Sequence, residues 1–211
     1  MEAREVNGFL CWVSRVSRAE FADALSERMQ DLEWLSAAGV RHQRVVAELA
    51  RHSTALPARF GTIFLTEKSL AEDVAHRKAE LNAALQKISG ADEWGIKIFR
   101  LAEPIKAAVP GETGSAYLER KAKAMQPRER TVAPEVKQFA ESLEALAREV
   151  APGGSITQGQ PALEWQTSIL LPRTVKPKFD AAIQRFARDQ KQKYRIEVTG
   201  PWPPYSFVKH G

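Results

Sequence analysis

Tyr194-Arg195-Ile196-Glu197-Val198 runs directly into Thr199-Gly200-Pro201-Trp202-Pro203-Pro204-Tyr205-Ser206-Phe207-Val208, an alternating strand joined to an aromatic and proline tail. Proline holds its own φ and biases the residue before it towards extended geometry, so residues 200–208 form a stiff rope that loses little entropy on docking. Pro203 and Pro204 cannot donate to a ladder, which excludes the rope from the centre of a sheet. Trp202, Tyr205 and Phe207 are large apolar anchors and the first candidate partner-binding residues. They lie either on the protein itself or on a partner. Gross burial of the three rings set against the ordering entropy favours docking on the protein itself, with only an edge left for a partner.

Upstream of the tail the pattern alternates between strand and helix periods. Residues 9–16 read as a strand. Ser17 with Glu20 has capping-box spacing and opens a helix with the stripe Phe21, Leu25, Met29, Leu32 and Leu35, closed by Gly39. A helix over 41–52 presents Val45, Val46 and Leu49. Residues 57–65 read as a strand with Gly61 at a bulge or close approach. A long helix carries Leu70, Val74, Leu81, Leu85 and Ile88 and ends at Gly90; Trp94, Ile96 and Ile98 form the next strand. Pro104, Pro110, Gly111 and Gly114 punctuate a linker and place a boundary near 102. Beyond it come a helix over 115–125, interrupted near Pro127, and a second from Pro134 with Val136, Phe139, Leu143, Leu146 and Val150. A turn at 152–154 follows. Strands at 165–171 and 194–198 flank a helix on which Phe179, Ile183 and Phe186 share a face. The expectation is an α+β protein of two small domains, 1–102 and 103–211, the second ending in the tail.

The 211 residues suffice for two such cores. No run approaches the roughly 18 apolar residues that cross a bilayer, and Glu2 and Glu5 replace the apolar core of a signal peptide. A cytoplasmic protein without membrane insertion is expected. Net charge is +5, with much of the excess between Arg173 and Arg195. Lys191 and Lys193 of that stretch are candidate contacts for an anionic partner, and a solvated helix face is the alternative. No aromatic residues interleave with these charges as stacking platforms would, which favours the solvated face.

No catalytic constellation emerges. His42, His52, His76 and His210 are scattered, without a helical pair to hold a metal. His42 reads as a capping or hydrogen-bonded packing histidine. Gly111-Glu112-Thr113-Gly114-Ser115 lacks the Gly-Lys-Ser/Thr ending of a phosphate loop. Cys11, the single cysteine, lies in an apolar strand that disfavours its thiolate. No enzyme activity, metal or cofactor is expected. Arg59 stands in an otherwise apolar stretch, where a buried guanidinium needs a carboxylate such as Glu93, or a partner. Trp34, Trp94 and Trp165 fall on core-facing positions.

The order of several blocks carries further information: Leu32-Glu33-Trp34-Leu35 with Arg41-His42-Gln43-Arg44-Val45-Val46, Leu56-Pro57-Ala58-Arg59-Phe60-Gly61-Thr62-Ile63-Phe64, Glu93-Trp94-Gly95-Ile96-Lys97-Ile98, Gly114-Ser115-Ala116-Tyr117-Leu118 with Lys121, and the tail. In that order they resemble the gas vesicle protein F/L family. The resemblance implies a modified ferredoxin-like N-terminal domain and an α+β C-terminal domain. It departs at the start, where the family's opening strand of the Tyr-Leu-Tyr-Gly-Ile-Val kind has no counterpart and Phe9-Leu10-Cys11-Trp12-Val13-Ser14 matches the second. The implied role is that of an accessory or minor structural protein located with the gas vesicle, whose partners are the small hydrophobic shell protein and other accessory proteins. The alternative is a small basic nucleic-acid-binding module, which lacks the surface aromatic pair such sheets use.

Overall fold

The computed structural model describes residues 1–101, 132–153 and 162–208. The expected linker at 104–114, the helix at 115–125, the loop at 111–115, the block at 114–121 and His210 lie outside those residues.

Asn7 and Gly8 take φ of 50° and 87°, the positive pair that a type I′ hairpin turn requires. β1 (Glu2–Val6) therefore pairs antiparallel with β2 (Phe9–Val13), Val6 opposite Phe9 and Glu2 opposite Val13. A strand thus stands ahead of Phe9, correcting the expectation of a sheet that begins there. The Asn7 side-chain amide donates to the Ala71 carbonyl at 2.7 Å and ties the turn to the helices.

The helix expected to end at Gly39 is divided elsewhere. A π-helical turn (Ala19–Asp23) and α1 (Leu25–Arg28) come first, and α2 spans Leu32–His52 straight through Gly39. Asp31 sets the start of α2, because its carboxylate accepts the N–H groups of Glu33 and Trp34 at 3.0 and 3.1 Å. Ala38 and Val46 bury the inner face of α2, whereas Leu32 is 79% exposed and leaves the expected stripe. Residues 57–65 form no strand. The N–H and hydroxyl of Thr62 both fold back onto the Arg59 carbonyl, at 3.1 and 2.8 Å, which closes a turn instead of a ladder. The expected long helix is two, α3 (Glu67–His76) and α4 (Lys78–Ile88), because the backbone leaves helical geometry at Arg77. Gly90, with φ of 69°, turns the chain into β3 (Ala91–Arg100).

The remaining elements are α5 (Pro134–Glu144), β4 (Glu149–Pro152), β5 (Leu163–Pro172), α6 (Lys176–Asp189) and β6 (Tyr194–Trp202). α5 stops short of Val150, which stands in β4 opposite Ile169. The strands order as β4-β5-β3-β6, so β6 is an edge, where Pro201 is tolerated. Ile96 and Ile98 of β3 meet Ile169 and Leu171 of β5, and Val136, Leu143 and Phe179 from α5 and α6 cover them. Each such side chain contributes about 1.5–3 kcal/mol through burial. Phe139 stacks on Phe186 at 4.1 Å, and Trp94 and Trp165 pack on the cluster's margin. A Cβ on Gly95 would lie 2.9 Å from the Thr199 hydroxyl, so β3 needs glycine there. At the sheet end Arg100 grips Glu164 through two bonds, 3.0 and 2.8 Å, and the Ala133 N–H adds a third at 3.0 Å.

By internal contacts the chain has two compact units, residues 1–93 together with 201–211, and residues 94–200. The tail, read from sequence with the C-terminal half, groups with the N-terminal residues. Mixed helix and sheet in both halves make the chain α+β, as expected.

Candidate binding surface

In the N-terminal unit, blocks far apart in sequence meet as two clamps. Trp34 of α2 lies 5.3 Å from the Phe21 ring and 6.3 Å from Phe60. Phe60 meets His42 edge-on at 5.7 Å, and His42 Nε2 donates to the Ala58 carbonyl at 3.1 Å. His42 is a hydrogen-bonded packing residue in mid-helix.

The second clamp holds the tail. After Trp202 the chain buries Pro203 and Pro204 and coils into a 3-10 turn at Tyr205–Phe207. Glu93, only 6% exposed, accepts the Ser206 N–H at 3.0 Å and the Ser206 hydroxyl at 2.6 Å. Phe207 is 4% exposed; as a partner anchor it is corrected to an internal one. Burial pushes the Tyr205 phenol up. Glu93 therefore serves Ser206, and its expected ion pair with Arg59 does not form. Because Arg59 itself is exposed in the 57–65 turn, it is solvated and requires no buried counter-ion. Among the described residues no carboxylate pairs with it.

Trp202 remains 45% exposed. With Gly39, Val40, Gln43, Arg44 and Ala47 of α2 it lines a shallow groove of about 380 Å³. Reading Gly39 as a helix end concealed this surface. The available signal was Val40, Gln43 and Ala47 recurring at helical spacing beside the face that Ala38 and Val46 bury.

At least half of the basic stretch is matched in place. Lys176 reaches Asp180 at 2.6 Å and lies over the Trp94 ring at 4.4 Å. Arg188 pairs with Asp189, Lys193 with Glu135 at 3.3 Å, and Arg195 with Glu197 while covering Phe99. Lys191 is exposed. Such pairing fits a solvated face. Among the described residues no three His, Cys, Asp or Glu side chains gather as metal ligands, and no helix is long and apolar enough to cross a membrane. Burial raises the Cys11 thiol, away from thiolate chemistry.

Residues 2–209 match the family profile described as gas vesicle synthesis protein GvpL/GvpF. The chain is 26% identical to gas vesicle protein L of Streptomyces sp. (strain CB03234) over 214 residues, covering 92% of this chain and 77% of that one. Gas vesicle protein F of the same strain is 28% identical over 208 residues, covering 89% and 84%. The crystal structure of GvpF from Microcystis aeruginosa superposes with a TM-score of 0.65 at 19% identity, over 98% of this chain and 88% of that one. GvpF from Anabaena sp. PCC7120 gives 0.56 at 20% identity, over 82% and 74%. Both share the fold.

Proposed function

This chain belongs to the gas vesicle synthesis protein GvpL/GvpF family, and from that membership we propose that it acts as an accessory protein of gas vesicle assembly that binds the small hydrophobic shell protein. It shields or guides that subunit before polymerisation, together with other accessory proteins. The match across residues 2–209 carries the reading. Exposed apolar side chains in the N-terminal unit support it: Leu10 and Trp12 on the hairpin, Val40 on α2 and Trp202 beside the tail. A surface of this kind suits an apolar partner. A nucleic-acid role has less support, since carboxylates or ring faces already occupy Lys176, Arg188, Lys193 and Arg195, half of the cations from Arg173 to Arg195. The test is deletion of the gene in a vesicle-forming cell, with co-purification of the shell protein on the tagged chain. Vesicles should be lost or misshapen and the shell protein retained. Normal buoyancy and vesicle shape after deletion would reject the role.

A further inference from the structure

We propose that the groove along α2 is a docking site for an amphipathic helix of a partner protein, one whose apolar ridge is flanked by acidic side chains. The proposal rests on the assembly role above and gives it a surface and a partner chemistry.

Gly39 is the first observation. Glycine inside a helix destabilises it relative to alanine, yet a Cβ at Gly39 would meet nothing within 4 Å. Internal packing therefore does not require glycine there, and the missing side chain leaves room for a group from outside. Gly39, Gln43 and Ala47 form one row at i, i+4 and i+8, with Val40 and Arg44 beside it. These rows extend over about 12 Å of helix axis, and an i±4 ridge of a second helix fits such a furrow. Trp202 supplies an exposed aromatic wall, the residue type that dominates interface anchors. A strand is excluded as occupant because the backbone lining the groove is hydrogen-bonded within α2 and offers no ladder.

Charge gives one flank. Arg41 and Arg44 are exposed and have no carboxylate partner among the described residues. Glu48, one turn beyond Arg44, is held by Arg51 at 2.8 Å and His52 at 3.0 Å. Both cations are open to acids on a partner.

The test uses the full chain and a fluorescein-labelled 18-residue helical peptide with a leucine and alanine stripe flanked by glutamates, read by anisotropy. A lysine-flanked version and a scrambled version are the comparisons. The glutamate peptide should bind saturably and at least tenfold tighter than either. Gly39→Ala should raise the melting temperature while weakening binding, a pairing that a purely structural role for the glycine would not produce. Ala47→Trp should fill the groove and abolish binding, and Trp202→Ala should weaken it about tenfold. Arg44→Glu should shift the preference towards the lysine flanks. Absence of saturable binding, equal binding of the scrambled peptide, or binding that survives Ala47→Trp overturns the proposal. A concentration-dependent dimer in sedimentation that Val40→Glu dissolves also overturns it, because a second copy of the chain would then cover the groove. A failed peptide assay alongside vesicle loss on gene deletion rejects the groove and leaves the assembly role. Peptide binding alongside normal vesicles after deletion rejects the role and leaves the groove.

Discussion

Phe207→Ala asks whether the tail is a structural part of the N-terminal unit or a detachable arm. In a closed core a Phe→Ala change costs about 3–5 kcal/mol. Here the loss has a ceiling, since a terminal segment can undock instead of leaving a cavity, and the cost cannot exceed the net free energy of docking. Burial of Phe207 contributes about 1.5–3 kcal/mol, and the buried faces of Pro203, Pro204 and Tyr205 contribute a comparable amount. The two bonds from Ser206 to the Glu93 carboxylate add roughly 1.5–3 kcal/mol each. Ordering Tyr205 to Val208 opposes this at about 1–2 kcal/mol per residue, while the prolines are already restricted in the unfolded chain. The balance favours docking by about 2–4 kcal/mol. At roughly 2–4 °C per kcal/mol for a chain of this size, Phe207→Ala should lower the melting temperature by about 4–16 °C. Calorimetry measures the shift, and hydrogen exchange should show the Ser206 amide losing protection. A variant that melts within about 1 °C of the parent refutes the reasoning, whether its tail exchanges fast or slowly.

Burial raises the Tyr205 phenol, so the folded unit holds that proton more tightly than the unfolded chain. Its contribution is complete below the unfolded value of about 10 and is lost as pH rises through the folded value. Tyr205→Phe should flatten the alkaline fall in melting temperature, and coincident curves for parent and variant would contradict this. Arg100→Met removes the two-pronged guanidinium grip from the Glu164 side chain, which is 1% exposed. Half of Arg100 is in solvent, so urea unfolding should show a loss of about 2–3 kcal/mol, below the full cost of breaking a buried pair. Arg100→Lys should not restore it, because the two-pronged grip is lost; full recovery would show that charge alone matters. Lys191→Glu should change stability by no more than about 0.5 kcal/mol. Lys193→Glu places like charges beside Glu135 at the surface and should cost up to about 1 kcal/mol. Binding of the shell protein that weakens steeply with salt, and further in these variants, would make the stretch a docking face instead.

Elements such as β3, β5, β6 and α6 were legible because their partners are close to generic. Ile96 and Ile98, Ile169 and Leu171, and Tyr194 to Val198 alternate at the strand period. Phe179 and Phe186 repeat at the helix period on α6. Periodicity reports which face leaves water, and any apolar surface satisfies it. The prolines of the tail likewise excluded it from the centre of a sheet by themselves, since a missing N–H is a local property. Some local signals were present but outweighed. Asn7-Gly8 encoded the hairpin, and Asp31 encoded the start of α2, while Gly39 suggested a stop that a long helix overrides for about 1 kcal/mol. What no local pattern contains is the identity of the covering group. Whether Glu93 is met by Arg59 or by Ser206, 113 residues away, depends on where the 57–65 turn and the tail arrive in space. Only tertiary structure decided that Phe207 is internal while Trp202, five residues earlier, borders a groove. Side chains of equal hydrophobicity differ there solely in whether another part of the chain reaches them.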